Sequence, residues 1–227
     1  VSGDHAGTGG DDIDDGETGI GGGVYPPEPE GGPEHDERVV AYFAQWGVYA
    51  RDYQVSDIPA DRITHINYAF VGIDGETRTV TSVDERADFQ NTYPAKNGLP
   101  AQSWEDSENN RAGNLGRLRQ LKEKHPHLKV MLVVGGWTLS TFLSDAAATQ
   151  DSREKFAASC VDFVVEHGLH GVDIDWEYPV SGGLPQCQGD PAEISLWTEK
   201  TCQRYSPDDK ENYTLLLQEL RSQLDEQ

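Results

Sequence analysis

The chain has little of what binds nucleic acids, anionic membranes or metal ions. Its 227 residues include 18 Lys and Arg against 40 Asp and Glu, and only three cysteines. A formal net charge of −22 argues against the class of proteins that bind nucleic-acid phosphates through basic patches. No apolar run is long enough to span a bilayer, and no Cys/His spacing is typical of a metal site. We therefore expect no nucleic acid, membrane or metal partner.

Residues 1–37 contain no Lys or Arg but hold 11 acidic residues and 11 of the 24 glycines. Such a stretch buries too little apolar surface to offset the entropy of ordering, so we expect a disordered linker there, tethered to an upstream module. Residues 38–227, the expected folded part, are also acidic, with 29 acidic against 18 basic residues. Adaptation to high salt and an ordinary acidic surface both fit this composition.

Short apolar runs alternate with helical patterns from residue 38 onward. The runs cover residues 38–44, 63–70, 129–134 and 171–176, and the helical patterns cover 115–123, 152–167 and 208–224. This alternation predicts an α/β fold with a parallel sheet covered by helices. Four strand–helix units could form a doubly wound sheet, whereas a closed barrel needs about eight. The last helical pattern reaches residue 227 without a stop signal, so we expect a truncated domain.

The fourth predicted strand carries three carboxylates at alternate positions. Side chains of a strand alternate between faces, so Asp173, Asp175 and Glu177 should share one face. Like charges on a buried strand repel and favour shared protons, and we expect the outermost, Glu177, to keep a proton as a general acid. An exposed edge strand with solvated acids is the alternative, which the intervening apolar residues disfavour.

The segment Asp173-Ile-Asp-Trp-Glu-Tyr-Pro179 resembles the signature of glycoside hydrolase family 18, the chitinases and their relatives. Other motifs resemble the same family in the expected order, and the resemblance covers about residues 38–227. These motifs are Tyr42 and Phe43 with Gln45-Trp46-Gly47, His65-Ile-Asn-Tyr-Ala-Phe70, Gly135-Gly-Trp137 and Ser181-Gly-Gly-Leu-Pro185.

The resemblance implies a (β/α)8 TIM barrel, of which this chain would hold the first four strand–helix units. It also implies a retaining, substrate-assisted cleavage of β-1,4 linkages in chitin, without metal or organic cofactor. Glu177 would be the proton donor and Asp175 would orient the substrate's acetamide. Asp173 would share a proton with Asp175. The expected partners are chitin or N-acetylglucosamine oligosaccharides, and the expected location is extracellular.

Aromatic side chains in the matching motifs are expected to bind sugar rings. The resemblance assigns this role to Tyr42, Phe70, Trp137 and Tyr178, since rings pack well against the C–H faces of sugars. Trp46 and Trp104 are further candidates. Phe43 and Phe163 are expected in the core.

Two positions depart from the family pattern. His170 stands where the signature has a leading Asp, and we expect an effect on folding or pH response. Val133 stands where the third-strand motif has Ser, so Asp173 should lose a hydrogen-bond donor unless water replaces it.

The cysteines leave alternatives open. Cys187 and Cys202 flank one loop and could form a disulfide or remain two thiols, whereas Cys160 lies in a helical pattern and should be buried.

Two other functions fit the same fold. One is an endo-β-N-acetylglucosaminidase acting on N-glycans. The other is a chitin-binding lectin with weak or no activity, which the intact carboxylates disfavour.

Overall fold

The computed structural model describes residues 37–187 and 202–227. Its main sheet contains four parallel strands in the order β1, β2, β4, β5. A short strand, β3, pairs antiparallel with the end of β2. The strands are β1 (Val40–Ala44), β2 (His65–Ile73), β3 (Val80–Thr81), β4 (Lys129–Gly135) and β5 (Gly171–Asp175).

Five α-helices and several shorter turns connect and cover these strands in the described residues. The helices are α1 (Trp104–Glu108), α2 (Gly113–Lys124), α3 (Leu143–Ala148), α4 (Gln150–His167) and α5 (Asp209–Asp225). A π-helical turn spans Arg86–Gln90, and 3-10 turns span Gln45–Val48, Val55–Asp57 and Ala60–Arg62. No helix in these residues combines the length and apolar character needed to cross a membrane.

The strand order distinguishes the two architectures that the sequence left open. The four parallel strands lie side by side in chain order, with no reversal. A doubly wound sheet reverses its order at a switch point, whereas barrel strands follow one another around the wall. The chain therefore forms part of a (β/α)8 barrel and holds four of its strands. An α-helix follows β2, β4 and β5, whereas 3-10 turns alone connect β1 to β2.

Alternation along the strands separates a helix-facing side from an inward side. Ile66, Val134 and Ile174 are buried in the clusters that the helices cover. Asn67 and Asp173, at the intervening positions, therefore project to the inward side. The register places Tyr42 beside Asn67, Val133 beside Asp173, and Gly135 beside Asp175.

The predicted elements agree with the structure to within three residues at each boundary. The sequence missed α1, α3 and β3 because they span six residues at most, too few to show a hydrophobic period. Phe43 and Cys160 are buried in the core, and Phe163 packs against it partly buried.

Candidate active site

The three carboxylates lie at the carboxyl end of β5. Asp173 and Asp175 belong to the strand, and Glu177 follows two residues beyond it. The alternating apolar residues hold the strand from behind, because Ile174 and Trp176 are buried in the helix-facing core. The hydroxyl of Tyr213 donates a 2.9 Å hydrogen bond to the Ile174 carbonyl. Asp173, Asp175 and Glu177 are each partly buried on the opposite side.

Asp173 accepts hydrogen bonds from two side chains on neighbouring strands, although position 133 offers it no donor. Its Oδ2 accepts hydrogen bonds of 2.8 Å from the Tyr42 hydroxyl and 2.8 Å from Nδ2 of Asn67. Val133 is fully buried beside it and has no polar group to offer. The hydroxyl donor is absent at position 133, and β1 and β2 supply two donors to Oδ2 of Asp173.

Asn67 is a site residue that the sequence analysis quoted within a motif but did not select. It is buried on β2 between the apolar Ile66 and Tyr68. A lone polar residue on the inward side of a buried strand was the available signal, because buried polar groups require partners. Its partner became visible only with the strand register.

The middle carboxyl of the row, Asp175, has a raised pKa. Burial raises the pKa of Asp175, and the charges of Glu177 and Asp173 raise it further. Asp175 is the middle carboxyl of the row and therefore faces two like charges.

Burial also raises the pKa of Tyr42, an effect that its hydrogen bond to Asp173 strengthens and Asn67 opposes. Tyr42 therefore remains a phenol that donates to the carboxylate. The charge of Asp173 in turn contributes to the raised pKa of Asp175.

An aromatic groove adjoins the carboxylates. A cavity of about 370 Å³ lies at the carboxyl ends of β1, β2 and β4, and its wall includes Gly135, the sheet neighbour of Asp175. The rings of Trp46 and Phe70 stack with centroids 6.1 Å apart and an interplanar angle of 18°. Trp137 also lines the groove and is 48% exposed. This surface suits the flat faces of sugar rings.

Local backbone features place the groove residues. Between Ala69 and Val71 the register of β2 against β4 shifts, so Phe70 is an extra residue at this bulge. Its N–H donates a 2.9 Å hydrogen bond to Oε1 of the buried Gln45. Gly136 has a φ of 86°, and a Cβ there would lie 3.0 Å from the Phe70 ring.

The predicted sugar-binding residues do not all meet in one place. Trp46, Phe70 and Trp137 line the groove, and Tyr42 contacts Asp173. Tyr178 is exposed and lies outside the groove wall formed by the described residues. Trp104, 73% exposed, borders a separate polar cavity beside α1.

The segment after Glu177 is held by several long-range contacts. Cys187 and Cys202 form a disulfide with Cα atoms 4.8 Å apart. The N–H of Gly183 donates a 2.9 Å hydrogen bond to the Tyr205 hydroxyl. The carboxylate of buried Asp209 accepts from the N–H of Val180 at 3.1 Å, so this residue anchors the segment. Asp209 is the first residue of α5.

His170 lies at the opposite end of β5 from Glu177. Its Nδ1 accepts a 3.0 Å hydrogen bond from the N–H of Val130. Desolvation, followed by the charges of Lys122 and Lys129, lowers the pKa of His170 to about 4. A neutral imidazole therefore links β4 to the start of β5. The departure from the family pattern at His170 thus lies away from the carboxylates.

Together, the barrel wall, the carboxylate row and the aromatic groove define a protein of the glycoside hydrolase type. The sequence profile of glycosyl hydrolases family 18 matches residues 38–227, and the chain belongs to this family.

Three similar proteins carry names that fit this family. Chitinase ChiA of Flavobacterium johnsoniae is 38% identical over 204 residues, covering 87% of this chain and 12% of that protein. Chitinase A1 of Niallia circulans is 38% identical over 209 residues, covering 83% of this chain and 28% of that protein. The structure of chitinase ChiA74 from Bacillus thuringiensis has a TM-score of 0.68 and 36% identity, covering 82% of this chain and 32% of that one. The chain thus spans less than a third of each of these three relatives.

Proposed function

We propose that the protein carrying this chain hydrolyses β-1,4 linkages between N-acetylglucosamine units of chitin, with Glu177 as proton donor. The observation that carries the proposal is the row of Asp173, Asp175 and Glu177 beside an aromatic groove. The names of the relatives, which are chitinases, support the same substrate.

The proposed reaction uses the substrate's own acetamide as nucleophile. Glu177 protonates the glycosidic oxygen while the acetamide carbonyl oxygen attacks the anomeric carbon, so the leaving sugar departs and an oxazolinium ion forms. Glu177, now a carboxylate, then removes a proton from water as the water oxygen attacks the anomeric carbon. The bond from that carbon to the acetamide oxygen breaks, which regenerates the acetamide and the protonated Glu177. Two displacements at that carbon retain its configuration.

The carboxylate of Asp175 is proposed to accept a hydrogen bond from the N–H of the substrate acetamide and so to orient it. The same carboxylate stabilises the positive charge of the oxazolinium ion. Its raised pKa fits a carboxyl that shares a proton with Asp173 before the charge develops. Asp173, held by Tyr42 and Asn67, is the fixed partner of that pair. A substrate without an acetyl group at the cleaved sugar cannot react by this route.

The proposal extends to the setting of the enzyme. Chitin is insoluble and extracellular, so we propose that the protein is secreted. Residues 1–37 are proposed as a linker to an upstream module, on the basis of their composition alone.

The test is release of soluble oligosaccharide from colloidal chitin by the full-length protein, at low and at molar salt. We expect release, and β-anomeric product at early times in proton NMR. Oligomers of glucosamine without acetyl groups should not be cleaved. Activity only at molar salt would favour adaptation to high salt.

The alternatives give different results in the same assays. Chitin binding without release would overturn the proposal in favour of a lectin. Cleavage of N-glycans from a glycoprotein, with chitin untouched, would favour the endo-β-N-acetylglucosaminidase. An initial α-anomeric product would contradict the retaining mechanism.

A further inference from the structure

Ser140 is a buried hydroxyl directly behind the end of β5. It closes the turn that follows β4, where the N–H groups of Leu139 and Ser140 each donate a 3.1 Å hydrogen bond to the Gly136 carbonyl. Its side chain is fully buried, so it lies behind the carboxylates rather than in the open groove.

The Ser140 hydroxyl contacts the backbone on both sides of the proposed acid. Its Oγ accepts a 3.1 Å hydrogen bond from the N–H of Glu177. The same Oγ lies 3.2 Å from the Asp175 carbonyl oxygen and 2.9 Å from the Gly136 carbonyl oxygen, and its single proton can be donated to either. The N–H of Gly136 adds a 2.6 Å hydrogen bond to the Asp175 carbonyl.

The contacts of Ser140 lie at the point where the pairing of β5 with β4 ends. The pairing of β5 with β4 ends at Asp175, opposite Gly135. Glu177 therefore lies beyond the ladder, and the partner of its N–H is a side chain from the β4 turn. The backbones of Gly135 and Asp175 lie so close together that there is no room for a side chain at Gly135. A Cβ there would lie 2.4 Å from the Asp175 carbonyl oxygen.

We propose that Ser140 is a positioning residue that fixes the backbone from Asp175 to Glu177 and thereby sets the spacing of their carboxylates. This inference rests on the proposed function, in which Glu177 donates the proton and Asp175 orients the acetamide. Both roles need the two side chains at fixed positions around one anomeric carbon. A small misplacement of reacting groups is costly even when binding is unchanged.

The variant that tests the proposal is Ser140→Ala in the full-length protein. Ser159→Ala is a matched control on α4, because its hydroxyl also accepts a main-chain N–H, from Val80 at 3.0 Å, and donates to a main-chain carbonyl, of Phe156 at 2.7 Å. The control removes the same two kinds of contact on the helix-covered side of the sheet. If Ser140→Ala does not fold, Ser140→Cys, with a weaker donor of similar size, undergoes the same measurements.

Two readouts are used. Hydrolysis of an N-acetylglucosamine oligomer gives kcat and KM, and amide hydrogen exchange reports on the Glu177 N–H. We expect Ser140→Ala to lower kcat about 10- to 100-fold with KM changed less than about twofold, and to expose the Glu177 amide to exchange. Ser140→Cys should show smaller changes in the same direction. Ser159→Ala should keep the parent kcat and the parent exchange of Glu177.

The outcomes separate this inference from the proposed function. A kcat for Ser140→Ala equal to that of Ser159→Ala, or an unchanged Glu177 exchange, would overturn the positioning role. If the parent shows no turnover, the proposed function is contradicted. If the Glu177 amide then still loses protection in Ser140→Ala and not in Ser159→Ala, the positioning of these carboxylates by Ser140 stands.

Discussion

The phenol of Tyr42 on β1 donates a 2.8 Å hydrogen bond to Oδ2 of Asp173 on β5, across the inward side of the sheet. Asn67 on β2, the strand paired with β1, donates to the same oxygen at 2.8 Å. Two donors from two strands thus meet on one carboxylate oxygen. The buried end of the carboxylate row is thereby tied to the barrel wall.

We expect Tyr42→Phe and Asn67→Ala each to lower kcat about 10- to 100-fold, because a hydrogen bond to a charged group contributes about 1.5 to 3 kcal/mol. Steady-state kinetics on N-acetylglucosamine oligomers provide the measurement. Tyr53→Phe is the control, since its hydroxyl donates to the Asp57 carbonyl away from the carboxylates. Parent kinetics in both site variants would show that Asp173 does not depend on these donors.

The pKa of Asp175 should respond to its two neighbours in a fixed order. Burial is the largest cause of its raised pKa, and the charge of Glu177 contributes more than that of Asp173. We therefore expect the pKa of Asp175 to fall in Asp173→Asn and to fall further in Glu177→Gln. Carbon-13 NMR titration of the Asp175 carboxyl gives the values, with Asp162→Asn on the exposed side of α4 as control. A rise in either site variant would contradict the charge argument.

The sequence predicted the barrel strands and the carboxylate row because both depend on local, repeating patterns. Alternation along residues 171–176 was enough to place Asp173 and Asp175 on one side, as the strand register has them. Asn67 and Ser140 show no such repeat, and their partners lie 106 and 37 residues away. The raised pKa of Asp175 could not be assigned from sequence because it depends first on burial.

Asp88 should make stability depend on pH. It is fully buried, and its carboxylate accepts hydrogen bonds from the hydroxyls of Tyr68 and Ser82. Desolvation raises its pKa from 3.8 to about 7. The folded state therefore holds this proton more tightly than the unfolded state, and the associated stability is lost as pH rises from about 4 through 7.

We expect Asp88→Asn, which cannot ionise, to lose less stability than the parent between pH 5 and pH 8. The difference should be on the order of 1 to 3 kcal/mol. Urea unfolding of parent and variant at the two pH values provides the measurement. Equal losses in both proteins would show that Asp88 does not titrate in this range.

The disulfide between Cys187 and Cys202 should stabilise the segment that follows the active site. The two cysteines are 15 residues apart, and closing a loop of this length contributes about 3 kcal/mol by limiting the unfolded chain. We expect the Cys187→Ala/Cys202→Ala double variant to lose about this much unfolding free energy in urea. A reductant should destabilise the parent but not the double variant. Destabilisation of both to the same extent would contradict the assignment.

The role of Glu177 is tested by comparing the full-length parent with Glu177→Gln on chitin oligomers. Glu166→Gln, on the exposed side of α4, is the matched control. We expect Glu177→Gln to lower kcat about 100- to 10,000-fold while oligomer binding persists, because only the proton donor is lost. The control should keep parent activity. Turnover by Glu177→Gln within about twofold of the parent would contradict the assignment of Glu177 as the general acid.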